Sequence, residues 1–173
     1  HSSWNGSFLL EDLPQIRATT FGSGKGGVIE IDTEKINLEK GAVIAADTRA
    51  GGDAGSISIN TEEMYLFGEH SRISSSVSGR TGYTTSYATG TGGSIDVKAK
   101  TIELKGKAGI FVETKPSGEG DAGSILLETD KLLLERGGRI LGTSSTKGDA
   151  GEVRLRVNEL EMKGGHIGSQ ANS

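Results

Sequence analysis

The chain has 173 residues, of which 28 are Gly, 2 are Pro and none is Cys, and its 19 Lys and Arg against 23 Asp and Glu leave a net charge of −4. The glycine excess is not collagen, because glycine does not recur at every third position. The missing Cys removes disulfides, thiol nucleophiles and thiolate metal sites, and without a basic surplus no nucleic-acid partner is expected. No run approaches the ~18 apolar residues of a membrane helix, and the N-terminus lacks the basic start and apolar middle of a signal peptide.

Residues 1–25 read as a partial preceding turn, because Ile16-Arg17-Ala18-Thr19-Thr20 followed by FGSGKGG parallels Ile44-Ala45-Ala46-Asp47-Thr48 followed by RAGGDAG. Five similar units follow over 26–53, 54–91, 92–121, 122–149 and 150–173, the second lengthened by an insertion at 78–91. Each unit opens with an alternating aliphatic pair: Ile29 and Ile31, Ile57 and Ile59, Ile95 and Val97, Ile125 and Leu127, Val153 and Leu155. A second pair follows, from Ile36 and Leu38 through Met64 and Leu66, Ile102 and Leu104, and Leu132 and Leu134 to Leu160 and Met162. A third run starts at Ile44, Ile73, Ile110, Ile140 and Ile167. Alternation of this kind is strand periodicity, not helix periodicity.

Three short strands separated by glycine-containing bends cannot bury a face within one unit. Stacking the units does so, with each strand parallel to its equivalent ~4.8 Å away and the aliphatics in columns down one interior. The expected fold is therefore all-β, a parallel β-helix of about five turns, wound right-handed by the general crossover preference. A third-run column of small residues, Ala46, Ser75, Val112, Gly142 and Ser169, suits a narrowing cross-section. A β-sandwich would give similar alternation but no reason for Ala-Gly-Ser-Ile at fixed spacing. With no evident polar or helical cap, the chain is expected to be part of a longer array.

The runs GGDAGSISI at 51–59, GDAGSILLET at 120–129 and GDAGEVRL at 148–155, with GA-x-I-x-A-x-T at 41–48, resemble the repeats of filamentous-haemagglutinin-like exoproteins secreted by the two-partner route in Gram-negative bacteria. That resemblance covers roughly residues 15–173. It implies a rod-like, secreted or cell-surface protein, often an adhesin, exported through an outer-membrane partner, and an extracellular location.

Candidate sites follow from what such a stack would present. The insertion SGRTGYTTSYATGTG supplies Arg80, Tyr83 and Tyr87 among Ser, Thr and Gly, a composition suited to contact with glycans or host and neighbour cell-surface molecules; the alternative is a tolerated, solvated loop. At equivalent loop positions stand Lys25, Asp53, Thr91, Asp121 and Asp149. Asp121 and Asp149 one rung apart would accommodate Ca²⁺, but the expected role is hydrogen bonding within each Asp-Ala-Gly turn, with no cofactor. A carbohydrate-active enzyme, a polysaccharide lyase or glycoside hydrolase, would need converging carboxylates. The outward rows Glu30, Ser58, Asp96, Leu126, Arg154 and Asn37, Tyr65, Glu103, Leu133, Glu161 place no two acids on adjacent rungs. The expectation is a non-enzyme; a carbohydrate-binding module without catalysis is the other alternative. His1, His70 and His166 have no second ligand at metal spacing, and GSGKGG and GTGG read as turns. Leu126 and Leu133 are outward by alternation and together are a candidate apolar strip inviting a neighbour, the alternative being isolated exposed leucines, which are ordinary.

Overall fold

The computed structural model describes residues 14–49, 51–78, 89–115, 120–145 and 148–172. Its strands are β1 (Gln15–Arg17), β2 (Val28–Leu38), β3 (Val43–Ala45), β4 (Ser56–Phe67), β5 (Arg72–Ser74), β6 (Ser94–Lys105), β7 (Gly109–Thr114), β8 (Ser124–Glu135), β9 (Arg139–Ser144), β10 (Glu152–Lys163) and β11 (His166–Ala171). They form two parallel sheets, β2-β4-β6-β8-β10 and β1-β3-β5-β7-β9-β11. Each long strand and the short strand after it make one rung, and rung pairs with rung around a β-solenoid of about five turns.

The register is the one that aliphatic matching predicts. Ile29 pairs with Ile57, Ile57 with Ile95, Ile95 with Ile125 and Ile125 with Val153. In the other sheet Ile16, Ile44, Ile73, Ile110, Ile140 and Ile167 form an unbroken column, with β1 paired on β3 and Thr20 bridged to Thr48. Ile57, Ile95, Ile102, Leu104, Ile110 and Leu132 are fully buried, each burial worth about 1.5–3 kcal/mol relative to exposure. The core is a set of vertical columns in which each side chain meets its counterparts above and below. In the small-residue column Ala46, Ser75 and Val112 are fully enclosed, and the Ser75 hydroxyl donates to the Gly55 carbonyl at 2.7 Å.

Two junctions shape the rung. Between the long and short strands the chain reverses in a four-residue turn closed by Ala42 N–H to Glu39 C=O at 3.0 Å and Gly138 N–H to Glu135 C=O at 3.0 Å. Both central residues have positive φ, 54° at Lys40 and 81° at Gly41, 48° at Arg136 and 86° at Gly137, a conformation in which glycine carries no Cβ penalty. The first and second runs, in contrast, are not separated by a glycine bend. They join in one continuous strand that turns a corner where two successive side chains face outward. In β4 the buried series Ile57, Ile59, Thr61 gives way to Met64, Leu66, with Glu62 exposed and Glu63 half-buried between them. The three flat segments per turn survive, but the first two form one bent sheet.

The Gly-Asp-Ala-Gly loop closes the rung. A Cβ on Gly93 would overlap the Gly55 carbonyl and the Ser75 hydroxyl, and one on Gly123 the Gly93 carbonyl, so these two positions can hold only glycine. Gly90 stacks in the same way between Gly52 and Gly120. The Ser78 amide donates to the Thr48 carbonyl at 3.0 Å, and the Ala54 amide to Thr91 at 2.9 Å. Both flanks of the insertion are thereby held in the ladder.

Candidate functional site

Arg80, Tyr83 and Tyr87 lie outside the described residues, as does His1.

The loop acids are placed, and their bonding differs from the expected own-turn pattern. The Asp53 Oδ1 accepts the Thr91 N–H and hydroxyl, each at 3.0 Å, and the Asp121 Oδ1 accepts the Asp149 N–H at 2.8 Å. Each carboxylate reaches along the axis to the next rung. The reason is geometric: in a stack, the nearest unsatisfied donor to a loop side chain belongs to the loop above it. The two Thr91 donors hold the Asp53 carboxyl below its usual pKa. Among the described residues no three His, Asp or Glu side chains gather as a metal site.

On the bent sheet the two outward rows stand as the spacing predicts. Glu30 pairs with Ser58, Ser58 with Asp96, Asp96 with Leu126 and Leu126 with Arg154, which leaves Glu30 and Asp96 two rungs apart. Leu126 and Leu133 do not form an exposed apolar strip. Leu133 faces outward but is only 7% exposed, because ion pairs surround it: Lys105 with Glu103 at 2.9 Å and Glu135 at 3.3 Å, Lys131 with Glu159 at 3.3 Å, and Lys163 with Glu161 at 2.6 Å. The methylene stems of such side chains cover apolar surface while their charged ends stay in water. Leu126 is half-buried. His70 is exposed, at φ 72° in a turn, and His166 is exposed in β11. An aromatic pair on one face, Tyr65 and Phe67, was not singled out by periodicity; Lys35 Nζ caps the Tyr65 ring at 4.8 Å from its centroid, and Phe67 is 51% exposed.

A long concavity lies where sequence reasoning put nothing, along the outside of the corner. It has a volume of about 870 Å³ and crosses all five rungs. One wall carries Asp32, Asn60, Lys98, Glu128 and Arg156, the other Glu34, Glu62, Lys100, Asp130 and Asn158. Neighbours along each wall bond between rungs: Asn60 to Asp32 at 3.2 Å, Asn158 to Asp130 at 2.8 Å, Arg156 to Glu128, and Lys100 to Glu62. The bond to Glu62 raises the Lys100 pKa. By the register of β2 with β4, Glu34 and Glu62 stand on adjacent rungs, the one place on these walls where acids succeed one another along the axis.

Fold and surface together define a parallel β-solenoid whose outer face is a lattice of rung-to-rung polar pairs. No family model matches the chain, and no curated protein or solved structure matches it.

Proposed function

We propose that this chain is a rod segment of a secreted or cell-surface exoprotein, an adhesin exported in Gram-negative bacteria through an outer-membrane partner, which holds contact surfaces for glycans or partner molecules away from the cell. The observation that carries this reading is the unbroken register of the two sheets over every rung. A stack in which each turn is bonded to the next through both of its sheets is stiff, and stiffness is what a projecting stalk requires. The Gly-Asp-Ala-Gly loops that carry the resemblance to filamentous-haemagglutinin-like proteins are the loops that fasten rung to rung. The resemblance and the rod thus rest on the same residues.

The test is attachment of beads coated with the chain to bacterial and animal cells, beside beads carrying a form that lacks residues 79–88. Attachment above uncoated beads is expected, reduced in the shortened form if the insertion takes part. Failure of both forms to attach contradicts the adhesive role.

A further inference from the structure

We infer that the corner groove between the two flat segments of the bent sheet binds an uncharged glycan chain lying parallel to the solenoid axis. This deepens the adhesin reading and rests on it. The shape comes first: the groove crosses five rungs, a length of about 19 Å at ~4.8 Å per rung, which fits an extended polymer better than a compact small molecule. Its walls then present hydrogen-bonding groups at the rung interval on both sides, donors from Asn60, Lys98 and Asn158 interleaved with carboxylate acceptors. A polyhydroxylated chain offers donors and acceptors on both edges at regular intervals, and so matches two such rows at once.

Charge selects among polymers. The lining holds five acids, Asp32, Glu34, Glu62, Glu128 and Asp130, against three bases, Lys98, Lys100 and Arg156, an excess that repels nucleic acids, polyuronates and sulfated glycans. A peptide is disfavoured for a different reason. The groove runs across the strands, whose backbone groups are already paired with the rungs on either side, so no sheet edge is offered for strand addition. At the middle rung the Lys98 side chain has no hydrogen bond or ion pair among the described residues, whereas Lys100 across the groove is held by Glu62. Lys98 offers its ammonium to a ligand, beside the second N–H of the Asn60 and Asn158 amides, whose first N–H goes to Asp32 and Asp130.

The experiment titrates the isotopically labelled chain with cellohexaose, maltohexaose, mannohexaose and chitohexaose at millimolar concentration, followed by amide chemical shifts, with polygalacturonate oligomers as the charged comparison. At least one neutral oligosaccharide is expected to move the amides of Asn60, Lys98, Lys100 and Glu128 while leaving Arg72 to Ser76 on the opposite sheet in place. Lys98→Ala and Asn158→Ala should each weaken that binding about fivefold, the effect of one lost hydrogen bond, and Lys115→Ala, outside the groove, should not. Silence from all four neutral oligosaccharides, shifts centred elsewhere, indifference to both groove variants, or tighter binding of the polyuronate would each overturn the inference. Cell attachment by the coated beads would survive any of these results, which separates failure of the groove from failure of the adhesin reading.

Discussion

Asp53 and Thr91 lie on consecutive rungs, 38 residues apart in sequence, and one oxygen of the Asp53 carboxylate accepts both the amide and the hydroxyl of Thr91 at 3.0 Å. The carboxylate bridges the join at which the chain re-enters the stack after its longest unit. Asp53→Ala leaves the Thr91 amide to water and is expected to cost about 1 kcal/mol, measured by urea unfolding; an unchanged midpoint would remove the bridge from the account.

The same bond sets a pH dependence. Asp53, Glu63 and Glu161 have lowered pKa values, held down by Thr91, Lys35 and Lys163 respectively. A carboxyl whose folded pKa lies below its unfolded one contributes stability that is complete above the usual range near ~4 and is lost as pH falls through the folded value. Lys35, Lys100, Lys105 and Lys163 are raised by their carboxylate partners, so their contribution is complete below ~10.4 and is lost as pH rises through the folded values. Thermal melts across pH should show a plateau that falls away below about 4 and above about 10. Asp53→Ala should shrink the acid limb. An acid limb identical in the variant contradicts the assignment.

Column packing predicts that position in the stack governs the cost of a cavity. Ile95 is fully buried between Ile57 and Ile125, while Ile29, in the same column but on the first of its five rungs, is 7% exposed. Ile95→Ala should cost about 2–5 kcal/mol and Ile29→Ala distinctly less. Equal losses in denaturant titrations would argue against a shared interior.

Gly93→Ala is expected to abolish cooperative folding, because the added methyl meets the main chain of Gly55, which has nowhere to retreat. Gly22→Ala, with nothing within 4 Å of the new carbon, serves as the control. A folded Gly93→Ala with native circular dichroism would show that the loops are not stacked this closely.

The outward row through Glu30, Ser58 and Asp96 puts acids two rungs apart. On the corner walls Glu62, which follows Glu34, is tied up by Lys100. Incubation with polygalacturonate and with neutral polysaccharides is therefore expected to release neither unsaturated nor reducing ends. Release of either would move the chain to the class of polysaccharide lyases or hydrolases.

The columns could be read from the sequence because they are linear in it: Ile57, Ile95 and Ile125 recur at matching points of successive units, and so does Ile16 with Ile44. The corner could not be read in the same way, since Glu62 and Glu63 look like a polar turn, and only the strand pairing shows that the ladder runs through them. The target of Asp53 was hidden because its own loop and the next share the same residues, and choosing between them takes register. Leu133 follows the alternation, but its cover comes from lysines and glutamates on three rungs. The groove is assembled from residues 28 to 38 apart such as Asp32, Asn60 and Lys98, none of which forms a motif by itself.

The most direct test of the stack uses the natural absence of cysteine, which lets nitroxide labels go only where they are placed. Cysteine pairs replacing Glu30 with Asp96, Glu30 with Leu126 and Glu30 with Arg154 should give label separations near 10, 14 and 19 Å, rising by about 4.8 Å per rung. Separations that fail to grow with rung number, or that bring Arg154 back towards Glu30, would contradict the parallel solenoid.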